Sequence, residues 1–308
     1  MDNETDKLEL RSEGLVKIYG KRMVVNNVSF SVQQGEIVGL LGPNGAGKTS
    51  LIRIINRITR ADSGTVMING RPLEDKDITN IGYLPEERGL YKKMKVGDEI
   101  IYLARLKGMP HGEAIAAMND WLERFDLTEW RDKKVEQLSK GMAQKVQFIA
   151  TVIHRPQFLI FDEPFSGFDP VNADQLKAEI LRLRDEGATI LFSTHNMESV
   201  ESICEQITLI NQARVVLQGR VDDIRQQHKK NVLHVQLNGG GTIEASPLYD
   251  ILPPTVGLKG VCVKLREGVT MREAVATLNE QYDLAGFSEI LPSMHEIFVE
   301  TVNATKRN

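Results

Sequence analysis

The sequence predicts an α/β protein with helices layered over a largely parallel sheet, and three observations carry that prediction. Between residues 8 and 224, apolar strand-like runs (EIVGLLG, FLIFDEP, ATILFSTH, ITLINQARVVL) alternate with helix-like ones such as KTSLIRIINRI, the pattern of layered α/β folds. A glycine-rich turn, GPNGAGKT, occupies one strand-to-helix junction. FLIFDEP is an apolar strand that ends in two acids, and a buried strand ending in charge needs a partner for it.

Taken in order, VVNNVSFSVQQGEIVG alternates apolar and polar residues and predicts an added antiparallel β layer. Residues 95–135 read as mostly helical, with Val96, Ile100, Leu103 and Leu106 on one stripe, which predicts a helical insertion in the α/β core. After Ile224 the pattern changes: RQQHKK is a polar link, and VLHVQL places Leu233, Val235 and Leu237 on one strand face. NGGGT marks a turn. Thr270 with Glu273 makes a capping-box start for a helix whose Met271, Val275, Leu278 and Tyr282 share a face, and Ser293 with Glu296 repeats the cap before a last helix. The expected organisation is therefore residues 1–225, with a helical subdomain at about 95–140, and a small α+β domain at 226–308. There is no internal repeat and no low-complexity tract.

With 308 residues, 41% hydrophobic and 26% charged, the chain can bury a substantial core. A net charge of -4 and the lack of a dense basic block give no electrostatic case for a nucleic-acid partner. Cys204 and Cys262 are far apart and make no metal-ligand spacing, so unpaired thiols in a reducing compartment are expected. No run approaches the roughly 18 apolar residues needed to cross a bilayer, and the acidic start MDNETDKLEL lacks the plan of a secretory signal. A role in transport would therefore call for a separate membrane-spanning polypeptide.

The chemistry concentrates at a few motifs. Residues 42–49 (Gly42, Pro43, Asn44, Gly45, Ala46, Gly47, Lys48, Thr49) match G-x-x-x-x-G-K-[ST] in the strand-then-helix context the pattern requires. Its glycines let backbone N–H groups approach phosphate oxygens, and the helix start adds partial positive charge. Lys48 can reach the β and γ phosphates, Thr49 can ligate Mg²⁺, and Ser50 adds another hydroxyl. A plain tight turn would explain the glycines but not a lysine followed by two hydroxyls. At the end of FLIFDEP, Asp162 suits a Mg²⁺ ligand and Glu163 a general base for an attacking water, unless both acids simply reach solvent.

With these residues in place, the chain resembles the nucleotide-binding subunit of ATP-binding-cassette (ABC) transporters over residues 8–224. Tyr19, in VKIYG, stands where that family stacks an aromatic on adenine. LSKGMAQ corresponds to the family signature usually written LSGGQ, SGFDP to the D-loop with Asp169, and STH to the switch histidine, His195. Taken singly, Tyr19 is an ordinary edge aromatic and His195 a strand-end residue; only the set promotes them. The resemblance implies a P-loop NTPase ABC cassette binding ATP and Mg²⁺. It also implies a head-to-tail dimer in which Ser139 and Gly141 of one subunit meet the γ-phosphate held by the other. Lys140 and Met142 depart from the signature, and no role is assigned to Lys140.

The run IGYLPEERGLYKKMKVGDEIIYLARLKGM and the tail LPSMHEIFVETV resemble the ATPases of ABC-2 type permeases, close to the sodium-efflux and drug-resistance branch. The implied protein is an ATPase motor for a separate integral-membrane permease, cytoplasmic and peripheral on the inner face of the cell membrane through that permease, and working in export. An importer motor shares every catalytic residue. A soluble ABC-type ATPase acting on ribosomes or DNA usually carries a second cassette, coiled coil or zinc module, none of which is present. Where most of the family has a Mg²⁺-ligating glutamine, this chain has Glu86. A carboxylate keeps the oxygen donor and adds charge, which Lys48, Mg²⁺ and Arg88 could balance, whereas Glu87 is expected to face solvent.

Overall fold

The computed structural model describes residues 9–87, 89–254 and 259–307. The chain divides into two compact units, Met1–Arg220 with Thr305–Asn308, and Val221–Ala304.

The first unit carries two sheets. Strands β1 (Glu9–Tyr19) and β2 (Arg22–Gln33) form a long antiparallel hairpin. The central strand is β3 (Ile37–Leu41), followed by helix α1 (Lys48–Ile55). Strands β4 (Ser63–Ile68) and β5 (Arg71–Pro72) join the hairpin to give a four-stranded antiparallel layer in the order β2-β1-β4-β5. The alternating burial of β1 and β2 is what a layer with one covered face requires.

The second sheet is the site's platform. After β6 (Ile81–Leu84) come the helices α2 (Val96–Leu106), α3 (His111–Arg124) and α4 (Lys140–Val152), then β7 (Phe158–Asp162), α5 (Pro170–Asp185), β8 (Thr189–Thr194), α6 (Met197–Ile203), β9 (Gln206–Asn211) and β10 (Arg214–Arg220). The order is β10-β9-β3-β8-β7-β6, parallel from β9 to β6 with β10 antiparallel at one edge. Every residue of β3, β7 and β8 is buried, which is why these strands read as continuous apolar runs. A parallel sheet gathers its strand carboxyl ends on one side, where ligands of open α/β sheets bind.

Helix α4 is anchored to that sheet by aromatics. Phe148 packs 5.5 Å from Phe161 of β7 and 5.7 Å from Phe125 at the end of α3. In α2 the buried apolar side chains are Val96, Ile100 and Ala104, while Leu106 is 63% exposed. The expected stripe thus holds at its first two positions and then rotates, because Ala104 lets the core approach the helix where Leu103 and Leu106 do not. No helix among the described residues is long and apolar enough to cross a membrane.

The second unit opens with α7 (Val221–Gln227) and continues with β11 (Val232–Leu237), β12 (Tyr249–Ile251), β13 (Val261–Leu265), α8 (Met271–Gln281), β14 (Leu284–Ile290) and α9 (Met294–Arg307) as far as Ala304. Its antiparallel sheet runs β12-β13-β11-β14. Leu233, Val235, Tyr249, Val263, Ala274 and Leu278 form its core. The Thr270–Glu273 capping box is closed in both directions, and Ser293 and Glu296 exchange the same pair of bonds. Tyr282 is not on α8 but in extended backbone just after it, its hydroxyl accepting from Glu244 N. His234 is also buried, its Nε2 2.8 Å from Lys259 O, so β11 is covered on both faces over part of its length.

Candidate functional site

A cleft of ≈ 410 Å³ opens at the carboxyl ends of β3 and β7, lined by Arg22, Val24, Asn44 to Ser50, Glu86, Asp162, Glu163 and His195. The loop between β3 and α1 forms its floor. Backbone geometry explains two of its glycines. Gly42 has φ 152°, and a Cβ there would meet Ile210 O at 2.2 Å; Gly47 has φ 118°, and a Cβ there would meet Val24 O at 2.2 Å. Only glycine fits such positions.

Lys48 is buried, and its ammonium donates to Gly42 O at 2.6 Å and Pro43 O at 3.4 Å, so Gly42 and Pro43 hold the lysine while residues 44–50 face the cleft. Burial lowers the Lys48 pKa, against the pull of Glu163, Asp162 and Glu86. Asp162, 2% exposed at the end of β7, is shifted upward by burial first, with the charges of Glu163 and Glu86 adding and Lys48 opposing. The Thr49 hydroxyl lies 3.5 Å from Asp162 Oδ2. Glu86 is exposed yet lines the cleft, and its field reaches both Lys48 and Asp162; Glu87 is exposed and does not line it. Arg88 lies outside the described residues.

Glu163 stands in the left-handed region at φ 50°, a conformation that costs a non-glycine residue on the order of 1 kcal/mol or more. It is held there by its own N–H donating to Ser193 O at 2.9 Å. One carboxylate oxygen lies 2.6 Å from His195 Nδ1 and the other accepts from the Thr194 hydroxyl at 3.1 Å. Because a carboxylate only accepts, Nδ1 is the donor in this contact. The backbone twist swings Glu163 out of line with β7, so successive acids take different stations.

The donor set fits a hard divalent cation. Mg²⁺ takes one or two carboxylates with hydroxyl, phosphate and water oxygens, and Thr49, Asp162 and Glu86 on the walls of one cleft are donors of that kind.

Four expected residues lie apart. Tyr19, 46% exposed at the end of β1, has its ring under the Lys17 ammonium at 5.4 Å and is not among the residues lining the cleft. Its partner across the hairpin turn, Arg22, is. Ser139 caps α4, accepting from Met142 N at 3.3 Å, and Asp169 caps α5, accepting from Asn172 N at 3.0 Å. These two and Gly141 are absent from the cleft walls but close to one another in the fold: a Cβ on Gly141 would lie 3.8 Å from Phe168, and one on Gly167 would meet Lys140 Cε at 2.4 Å. The Lys140 side chain therefore rests in the space left by Gly167.

Helix α4 ties these parts together. Gln144 donates to Pro164 O at 3.2 Å, next to Glu163. Gln147 donates to Pro85 O at 3.3 Å and Glu87 O at 3.1 Å, bracketing Glu86. Arg22 and Val24 were not anticipated: no local motif marks them, and they reach the cleft because the β1–β2 hairpin folds over Gly47.

The sequence family described as ABC transporter matches residues 25–166, and that described as ATP-binding protein DrrA1-3-like, C-terminal domain, matches 219–302. The uncharacterized ABC transporter ATP-binding protein YhaQ of Bacillus subtilis (strain 168) is 40% identical over 303 residues, 96% of this chain and 99% of that protein. The linearmycin resistance ATP-binding protein LnrL of the same organism is 34% identical over 77% of this chain and 76% of its own length. The solved structure of an ATP binding subunit of an ABC transporter, at 32% identity, superimposes with a TM-score of 0.67 over 71% of this chain and 92% of that one. A fold built around this cleft and a relative matching nearly end to end lead to one conclusion: the chain belongs to the ABC transporter ATP-binding protein family, with the cassette fold of P-loop NTPases.

Proposed function

We propose that this chain is the ATP-binding and ATP-hydrolysing subunit of an ABC-2 type transporter, driving a separate membrane permease in export. The observation that carries the proposal is the convergence of Lys48, Thr49, Asp162, Glu163 and His195 on a single cleft at the strand ends. In this reading residues 44–50 cradle the phosphates, Lys48 balances their charge, and Thr49, Asp162 and Glu86 hold Mg²⁺, which supplies charge neutralisation at the β and γ phosphates. Glu163 accepts the proton of the attacking water, and His195, bonded to it through Nδ1, holds that carboxylate in place beside the γ-phosphate. Ser139, Gly141 and Asp169 serve the nucleotide of a second copy in a head-to-tail dimer. That reading is supported by their position away from this chain's own cleft.

Coupling to a permease is supported by an apolar groove of ≈ 420 Å³ beside the Glu86 loop, lined among others by Tyr83, Pro85, Leu90, Leu103 and Leu106. Half-buried Leu90 and Leu103 with exposed Leu106, next to a loop that touches the cleft, suit a membrane-protein segment that reports on ATP state. The export direction is supported by the similarity to a resistance ATP-binding protein and by the DrrA-like C-terminal match. The test is fractionation. The chain should sediment with membranes only when its permease is co-expressed, and Leu106→Asp should release it while ATP turnover persists. Membrane-independent function, or co-sedimentation with ribosomes, would sink the transporter reading.

A further inference from the structure

The sheet of the second unit has two edges that differ in kind. The β12 edge is three residues long, runs into Pro253 and Pro254, and carries the Asp250–Arg266 ion pair. Prolines, charge and shortness are the usual ways an edge is protected from pairing with another strand. The β14 edge, LAGFSEI, is seven residues long with no proline, lysine or arginine, and Phe287 at its centre is 50% exposed. It pairs only with β11 among the described residues.

Beside this open edge runs an apolar groove of ≈ 780 Å³, walled by Met271, Arg272, Val275, Ala276 and Asn279 of α8 and by Leu284, Gly286 and Phe287 of β14. Arg272, Ala276 and Glu280 stand four residues apart along α8, a spacing that puts them on one stripe. Both charged residues are exposed, and neither has an ion-pair partner among the described residues.

We propose that this edge and groove form a two-fold interface with a second copy of the chain, independent of nucleotide. A strand laid antiparallel on its own copy about Phe287 brings Phe287 against its mate and Leu284 against Ile290, continuing the sheet across the axis. The same axis passes along the groove at Ala276, small enough for close approach, and sets Arg272 opposite Glu280 of the other copy on both sides. The charge order of α8 is thus self-complementary in the register that centres β14 on its apolar middle. An edge-binding peptide from another protein would use the strand but would leave this charge symmetry without a purpose.

The test uses the full-length chain without nucleotide in sedimentation-velocity runs. The wild-type chain and Lys48→Ala, which disables the phosphate loop, should both dimerise. Phe287→Lys should weaken association at least 10-fold, and Arg272→Glu should do likewise. Arg272→Glu combined with Glu280→Arg should return it to within about 2-fold of wild type. Phe287→Cys should give a disulfide-linked dimer on mild oxidation, whereas Val299→Cys on α9 should not. A wild-type chain that is monomeric without nucleotide, whether it then dimerises with Mg-ATP or captures the permease through β14, overturns the proposal. So does a Phe287→Lys chain that associates as tightly as wild type. An ATP-dependent dimer formed elsewhere leaves these outcomes distinct, because Lys48→Ala removes that dimer and not this one.

Discussion

The cleft around Lys48 and the patch around Ser139 are both assigned to phosphate in the proposed function, yet they are built on opposite principles. The cleft is buried and charged: Lys48, Asp162 and Glu163 are each less than 10% exposed and shift or orient one another. The patch is exposed, two helix caps with a lysine lying over a glycine. Burial makes the cleft electrostatically strong by itself, whereas an exposed helix start gains strength only when something covers it. In the proposed dimer, binding would therefore be complete within one copy while turnover would require two.

Four experiments separate the regions, in decreasing order of expected effect. Glu163→Gln should lower ATP turnover about 100-fold or more, the range expected for removing a positioned base, with Mg-ATP binding by fluorescence titration retained; turnover at the wild-type rate removes Glu163 from its role. Ser139→Arg should also reduce turnover, by about 10 to 100-fold, but should leave the Mg-ATP affinity of the monomer within about 2-fold. A large loss of monomer affinity would mean that the patch belongs to the cleft of its own chain. Glu86→Gln should bind Mg-ATP but shift the Mg²⁺ concentration for half-saturation several-fold, roughly what one added or lost charge at a partly hydrated site produces. Glu87→Gln should do little, and equal shifts from both would return Glu86 to the status of a surface residue.

The smallest effect lies in stability alone. His154, in the apolar groove beside Glu86, has its pKa pushed down to about 4 by burial, with the Lys107 charge adding. Below about pH 6.5 the unfolded chain gains a proton that the folded chain refuses until about pH 4. The stability from this neutral histidine is therefore full above pH 6.5 and lost as pH falls toward 4. Denaturant midpoints measured across that window should fall in the wild type and flatten in His154→Leu. An unchanged slope would show that other groups govern it.

Much of the cleft was legible because its requirements are local. Glycines that must sit where a Cβ would strike Ile210 O or Val24 O, a lysine at the helix start and two acids closing a buried strand are all written in consecutive residues. What local pattern could not supply was which distant segment closes the wall. Arg22, three residues along the hairpin from Tyr19, lines the cleft without any local motif to mark it. In α2 the periodic stripe ran one turn too far, since Ala104 decides which side is covered. The alternation of VLHVQL predicted one buried face, whereas His234 is buried on the other against Lys259 O.

One modest feature has a mechanical meaning. Gln147 holds the carbonyls on both sides of Glu86, Gln144 holds the carbonyl after Glu163, and Ser139 begins the same uninterrupted helix. Eight residues separate Ser139 from Gln147, about 12 Å of helix. α4 is thus a strut fitted at its start and along its middle: in the proposed transporter, a tug on the loop beside the leucine groove would pass along helix before it arrived at Ser139. A machine assembled this way would trade force for timing, setting when two copies may close by how the loop is being pulled.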